Sequence, residues 1–179
     1  MKYLKFSSLS DFISNQDISQ YNKNTLLISD IDGVFFRGIF DPREIIGIIS
    51  KKNITVLEKI LLKKIACWIF TNRPAIFKYF SFIRQISDSI KKVTGVTPNI
   101  YSKCSHFLED RSQNYAIIMN AKKPSEQSQE VIEKGIKNFE KVIYISARDL
   151  PFYYSDKQLI QKLNKRLNLD KLVFIEISK

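Results

Sequence analysis

The chain has 179 residues, 44% hydrophobic and 26% charged, with a formal net charge of +11 from 29 Lys and Arg against 18 Asp and Glu. That balance excludes a low-hydrophobicity disordered chain and suits a globular domain with a sizeable core. It also favours anionic partners, such as a phosphorylated molecule or nucleic acid, although the basic residues are scattered rather than gathered in one run.

Residues 1–24 are rich in Ser, Asn and Gln and predict one short helix in an N-terminal extension. They lack the apolar core and small-residue cleavage site of a secretory signal. No apolar run is long enough to span a bilayer, so the expected location is cytoplasmic. Thr25–Ser29 is a continuous apolar run of strand length, followed by Asp30-Ile31-Asp32-Gly33. Such a run fits a strand buried on both faces, and the glycine permits a sharp turn.

Gly38, Pro42 and Gly47 interrupt Val34–Ser50, which predicts a loop or short hairpin forming a small flap over 33–50. Helical spacing follows over Asn53–Lys64, then a second strand over Ile65–Phe70. That strand stops at Thr71-Asn72-Arg73-Pro74. Pro74 is suited to the first position of a helix, which is predicted over Ala75–Val93. Short strands are predicted at Asn99–Tyr101 and Tyr115–Met119. A helix over Ser125–Asn138 has Ser125 as its N-cap. Strands at Lys141–Ile145 and Leu172–Ile177 bracket a helix over Ser155–Leu167.

Strands alternating with helices predict an α/β fold: a three-layer, Rossmann-like parallel sheet with helices on both faces, in one domain. Right-handed crossovers bring all strand C-termini to one edge, where α/β sheets bind ligands. The polar residues behind the strands are Asp30 and Asp32, then Thr71, Asn72 and Arg73, then Asp149. Lys122 and Lys123 precede a helix. Cys67, inside an apolar strand, reads as a buried thiol. Cys104 and His106 have no partner at zinc-ligand spacing.

Paired carboxylates are repulsive, and proteins accept them where a metal or shared chemistry needs both. An aspartate can attack phosphorus, and a second acid can move protons. Mg²⁺ takes one or two carboxylates together with substrate phosphate. A hydroxyl and a lysine stabilise phosphoryl oxygens.

Asp30-Ile31-Asp32-Gly33-Val34 resembles the first motif of the haloacid dehalogenase superfamily, and Ile69-Phe70-Thr71-Asn72-Arg73-Pro74 its second. Lys122-Lys123-Pro124 resembles the third, and Lys141–Asp156 stands where the acidic fourth belongs. The resemblance implies a phosphatase with a small cap or none, hydrolysing a phosphomonoester through an aspartyl-phosphate with Mg²⁺ as cofactor. It implies Asp30 as nucleophile and Asp32 as general acid/base, the latter with its carbonyl on the metal. It further implies phosphate binding by Thr71, Asn72 and Lys123, with Lys122 as the alternative lysine. Asp149 is implied as the remaining metal acid, with Asp156 a more distant choice. The fourth motif departs from the family: Ser146-Ala147-Arg148 stands where a Gly-Asp pair is usual. That departure motivates a second expectation, a weakened relative that binds a phosphorylated or anionic partner.

Overall fold

The computed structural model describes residues 1–34, 36–40, 45–49, 51–61, 65–72, 77–101, 117–118, 123–147 and 153–178. Its centre is a parallel sheet of seven strands: β1 (Lys2–Phe6), β2 (Thr25–Ser29), β5 (Ala66–Phe70), β6 (Asn99–Tyr101), β7 (Ile117–Ile118), β8 (Lys141–Ala147) and β9 (Leu172–Ile177). The order across the sheet is β1-β9-β8-β2-β5-β6-β7, with every neighbouring pair parallel. From β2 the chain winds one way through β5, β6 and β7, then returns to β8 on the other side of β2 and continues outward. The winding direction therefore reverses between β2 and β8, and a crevice opens there beyond the strand ends.

Side chains alternate across the strands and divide the core into two layers. On one face Leu27, Ile69, Ile100, Ile143, Ile145 and Ile175 pack with Leu9 and Phe12 of α1 (Leu9–Asn15), Val56 and Ile60 of α2 (Lys51–Leu61), and Ile90 of α3 (Phe77–Thr94). On the other face Leu26, Ile28, Trp68, Phe70, Tyr144 and Phe174 pack with Val131 and Ile132 of α4 (Glu126–Asn138) and Leu159, Ile160 and Leu163 of α5 (Tyr153–Asn164). This is the three-layer α/β arrangement expected from the alternation of elements. Every residue of β2 is buried, which explains why its centre, Leu26–Ile28, is apolar at consecutive positions rather than alternating.

Gly135 of α4 lies against the sheet. A Cβ there would stand 2.8 Å from Leu26 Cδ2 and 3.6 Å from Trp68 Cζ3. The Ser125 cap is present: its side chain accepts the Ser128 N–H at 3.3 Å. Cys67 is buried and free, and burial pushes its thiol up to about 12.

The N-terminal segment differs from the expectation of an extension with one helix. It holds α1, and it also supplies β1, which pairs with β9 from Lys2↔Val173 to Phe6↔Ile177. The signal was weak because β1 is an edge strand with three of its five positions exposed. Between β2 and α2 the expected hairpin is present as β3 (Phe36–Phe40) and β4 (Ile45–Ile49), which pair antiparallel apart from the main sheet. Helix α3 is followed by Gly95, whose positive φ of 74° suits a helix terminus.

Candidate active site

The site grows from the carboxyl ends of β2, β5 and β8. The Asp30 N–H donates to Ile145 O at 3.0 Å, one step beyond the last residue of β2. This bond anchors the Asp30 backbone at the crevice where the winding reverses. Its side chain turns back on the chain, Oδ1 accepting the Ile31 N–H at 2.8 Å. Gly33 then takes a φ of 73°, in the left-handed region that lets the chain turn away. Asp30 is 4% exposed and Asp32 is 3% exposed, so both carboxylates lie inside the protein surface.

Thr71 follows β5 next door and is fully buried, with its N–H donating to Tyr101 O at 2.9 Å. The neighbouring Asn72 turns its carboxamide on the backbone of Lys123. Lys123 N–H donates to Asn72 Oδ1 at 2.7 Å, and Asn72 Nδ2 donates to Lys123 O at 3.2 Å. This pair of bonds ties the end of β5 to the segment that leads into α4. The peptide bond between Lys123 and Pro124 is cis.

Among the described residues Lys123 is the one buried lysine, at 1% exposure. Its ammonium reaches across the top of the sheet to three acceptors. It donates to Phe70 O at 3.1 Å, and it stands 2.5 Å from Asp156 Oδ1 and 3.4 Å from Asp30 Oδ2. It also lies 5.2 Å from the centroid of the Phe70 ring. Asp156 comes from the first turn of α5, where a helix favours negative charge. Tyr144 OH donates to Asp156 Oδ1 at 2.8 Å, and Ser146 Oγ donates to Asp156 Oδ2.

Burial pushes the Asp30 carboxyl well above the ordinary carboxylate range; Lys123 opposes this, while Asp156 and Asp32 add to it. Burial works against the Lys123 charge, but Asp156 and Asp30 outweigh it and raise the ammonium above its usual value. Burial also raises the Tyr144 phenol well above its usual value, and the charges of Asp156 and Asp30 add to that. Tyr144 therefore remains a hydroxyl donor across the ordinary working range.

Of the residues expected from sequence, Asp30, Thr71, Asn72 and Lys123 come together at this edge, with Asp32 two residues beyond Asp30. Asn72 makes its described contacts with the Lys123 backbone. Lys122, Arg73, Arg148 and Asp149 lie outside the described residues, so the expected metal acid Asp149 is not placed. Among the described residues, no group of three or more His, Cys, Asp or Glu side chains is arranged to hold a metal ion. Asp156 is committed to Lys123, Tyr144 and Ser146. Of the metal ligands that the resemblance implies, Asp30 and Asp32 are the described ones, and one or two carboxylates with phosphate and water are a normal set for Mg²⁺.

Sequence reasoning did not single out Tyr144 as a site residue. A usable signal existed: Tyr144 and Ser146 sit two apart on a strand whose other inner positions are apolar. Hydroxyls on one face of a buried strand require partners, and that requirement points to a polar group packed above it. The chain matches no protein family, no curated protein and no solved structure in the comparisons made with them.

Proposed function

We propose that the chain is a Mg²⁺-dependent phosphohydrolase of the haloacid dehalogenase type, cleaving a phosphomonoester through an aspartyl-phosphate on Asp30. The observation that carries this reading is the meeting of Asp30 with the buried Lys123 ammonium, 3.4 Å away, at the switch point of a parallel sheet. A lysine buried at such a crevice is a ready partner for phosphate oxygens, and an aspartate beside it is in position to attack phosphorus.

In this reading Asp30 attacks phosphorus and the bond to the substrate oxygen breaks. Asp32 gives that oxygen its proton, then takes a proton from the water that hydrolyses the acyl phosphate. Thr71 and Lys123 hold phosphoryl oxygens, and Asn72 keeps Lys123 in register through its backbone. Bound by the Asp30 carboxylate and the Asp32 main-chain carbonyl, Mg²⁺ would balance phosphate charge and favour the ionised form of Asp30.

The test is turnover of an aryl phosphate with and without Mg²⁺, for wild type and Asp30→Asn. Metal-dependent turnover in wild type alone, with an acid-stable and hydroxylamine-labile phosphoryl group on the protein, supports the reading. Equal rates in the two proteins across a broad phosphoester panel reject it. One observation favours a second reading, a module that binds a phosphorylated or anionic partner without turning it over. β8 ends in Ser146-Ala147 rather than in an acid, and Ser146 is spent on Asp156. Phosphate binding without turnover in wild type selects that reading.

A further inference from the structure

We propose that Tyr144 and Ser146 are positioning residues: their hydroxyls fix the buried Asp156 carboxylate, and Asp156 in turn sets where the Lys123 ammonium stands relative to Asp30. The inference deepens the phosphate-site reading and rests on it for its functional meaning. The contacts themselves stand apart from that reading.

Both hydroxyls stand on β8. Tyr144 is fully buried, stacked at 5.5 Å on Phe174 and set edge-on at 6.3 Å to Phe70. A phenylalanine would fill that space equally well, so packing does not explain the hydroxyl. The hydroxyl has one described partner, Asp156 Oδ1. Ser146, two residues along the same face, engages the other oxygen. A buried carboxylate requires partners for both oxygens, and here both are met by donors from a rigid central strand.

The consequence falls on Lys123. An ammonium has three donors. Its described acceptors are Phe70 O at 3.1 Å, Asp156 at 2.5 Å and Asp30 at 3.4 Å. The shortest contact is to the acid on α5, and the longest is to the proposed nucleophile. Asp156 is thus the anchor of the lysine. The donor aimed at Asp30 is the one most readily transferred to an incoming phosphate oxygen. If the carboxylate of Asp156 rotates, that donor is misdirected although every apolar contact survives.

The experiment reads Lys123 directly and then its ligand. The protein is labelled with ¹⁵N-lysine, and the buried ammonium signal is assigned by its loss in Lys123→Met. Tyr144→Phe and Ser146→Ala are each expected to shift that signal and speed its hydrogen exchange. Val142→Ala, which removes only apolar contacts from the same strand, is expected to lower stability and leave the signal in place. In parallel, affinity for inorganic phosphate in Mg²⁺ buffer is expected to fall about three- to tenfold in Tyr144→Phe and Ser146→Ala. A Lys123 signal unchanged from wild type in both hydroxyl variants overturns the proposal. Shifted signals in a protein that binds no phosphate even as wild type support the positioning role and reject the phosphate-site reading, so the two failures are distinguishable.

Discussion

Replacing Lys123 with methionine tests the electrostatic core of the site without relying on any activity. Methionine has nearly the reach and volume of the lysine stem, so little cavity results and the lost ammonium dominates. The ammonium is buried, 2.5 Å from Asp156 and 3.4 Å from Asp30. Removing one partner of a buried ion pair strands the other charge and costs ~3–5 kcal/mol. The charge left stranded is that of Asp156, the nearer acid, because burial favours the neutral form of Asp30. For a chain of this size each kcal/mol corresponds to roughly 2–4 °C in Tm, so a loss of ~4 kcal/mol lowers it by ~8–16 °C. The assay is urea unfolding followed by far-UV circular dichroism in metal-free buffer, for Lys123→Met, Asp156→Asn and the double variant. Because the groups touch, the double variant should lose less than the sum of the singles by ~1–3 kcal/mol. A Lys123→Met loss below ~1 kcal/mol, or simple additivity, refutes the reasoning: the ammonium would then be solvated rather than paired.

Asp30→Asn is expected to leave the metal-free protein at least as stable as wild type at neutral pH and, under the proposed function, to abolish phosphoester turnover. Burial raises the folded Asp30 carboxyl well above its ordinary value of 3.8, so the folded state holds that proton more tightly than the unfolded chain. The resulting stability is full below the unfolded value and is lost as pH rises through the folded one. Urea midpoints at pH 4, 5.5 and 7.5 should therefore decline less with pH in Asp30→Asn than in wild type, and identical slopes would count against the assignment. Gly135→Ala should destabilise by ~1–3 kcal/mol through overpacking on Leu26, despite alanine's better helix propensity; a higher Tm would show that α4 can lift from the sheet at little cost. Ser125→Ala removes the acceptor of the Ser128 N–H and should cost ~1 kcal/mol in thermal unfolding, whereas no loss would mean water caps α4 as well.

The sequence by itself determined much about the elements and the start of the site. Thr25–Ser29 and Leu172–Ile177 were legible to their last residue because each carries a run of consecutive apolar residues, Leu26–Ile28 and Leu172–Ile175, that a largely buried strand requires. The helix cap at Ser125 and the turn at Gly33 were legible because they depend on residues a few positions apart. For the same reason Asp30, Asp32 and Thr71 could be assigned to strand ends, and parallel connections then put those ends on one edge.

Tertiary structure decided what depends on partners distant in the chain. The edge strand β1 carries little pattern of its own, and it becomes a strand by pairing with β9 at the opposite end of the sequence. The sequence puts Lys123 ahead of Pro124 and says nothing of its partners, whereas its position over Phe70 brings its ammonium to Asp30 and Asp156. The bonds of the Asn72 carboxamide to the Lys123 backbone, 51 positions away, carry no signal in the local sequence. Asp156 gained its place from the packing of α5 on β8, which set it above Tyr144 and Ser146. Local periodicity reports which face of an element is buried. It does not report which buried charge lies across from which, because that depends on how the layers meet.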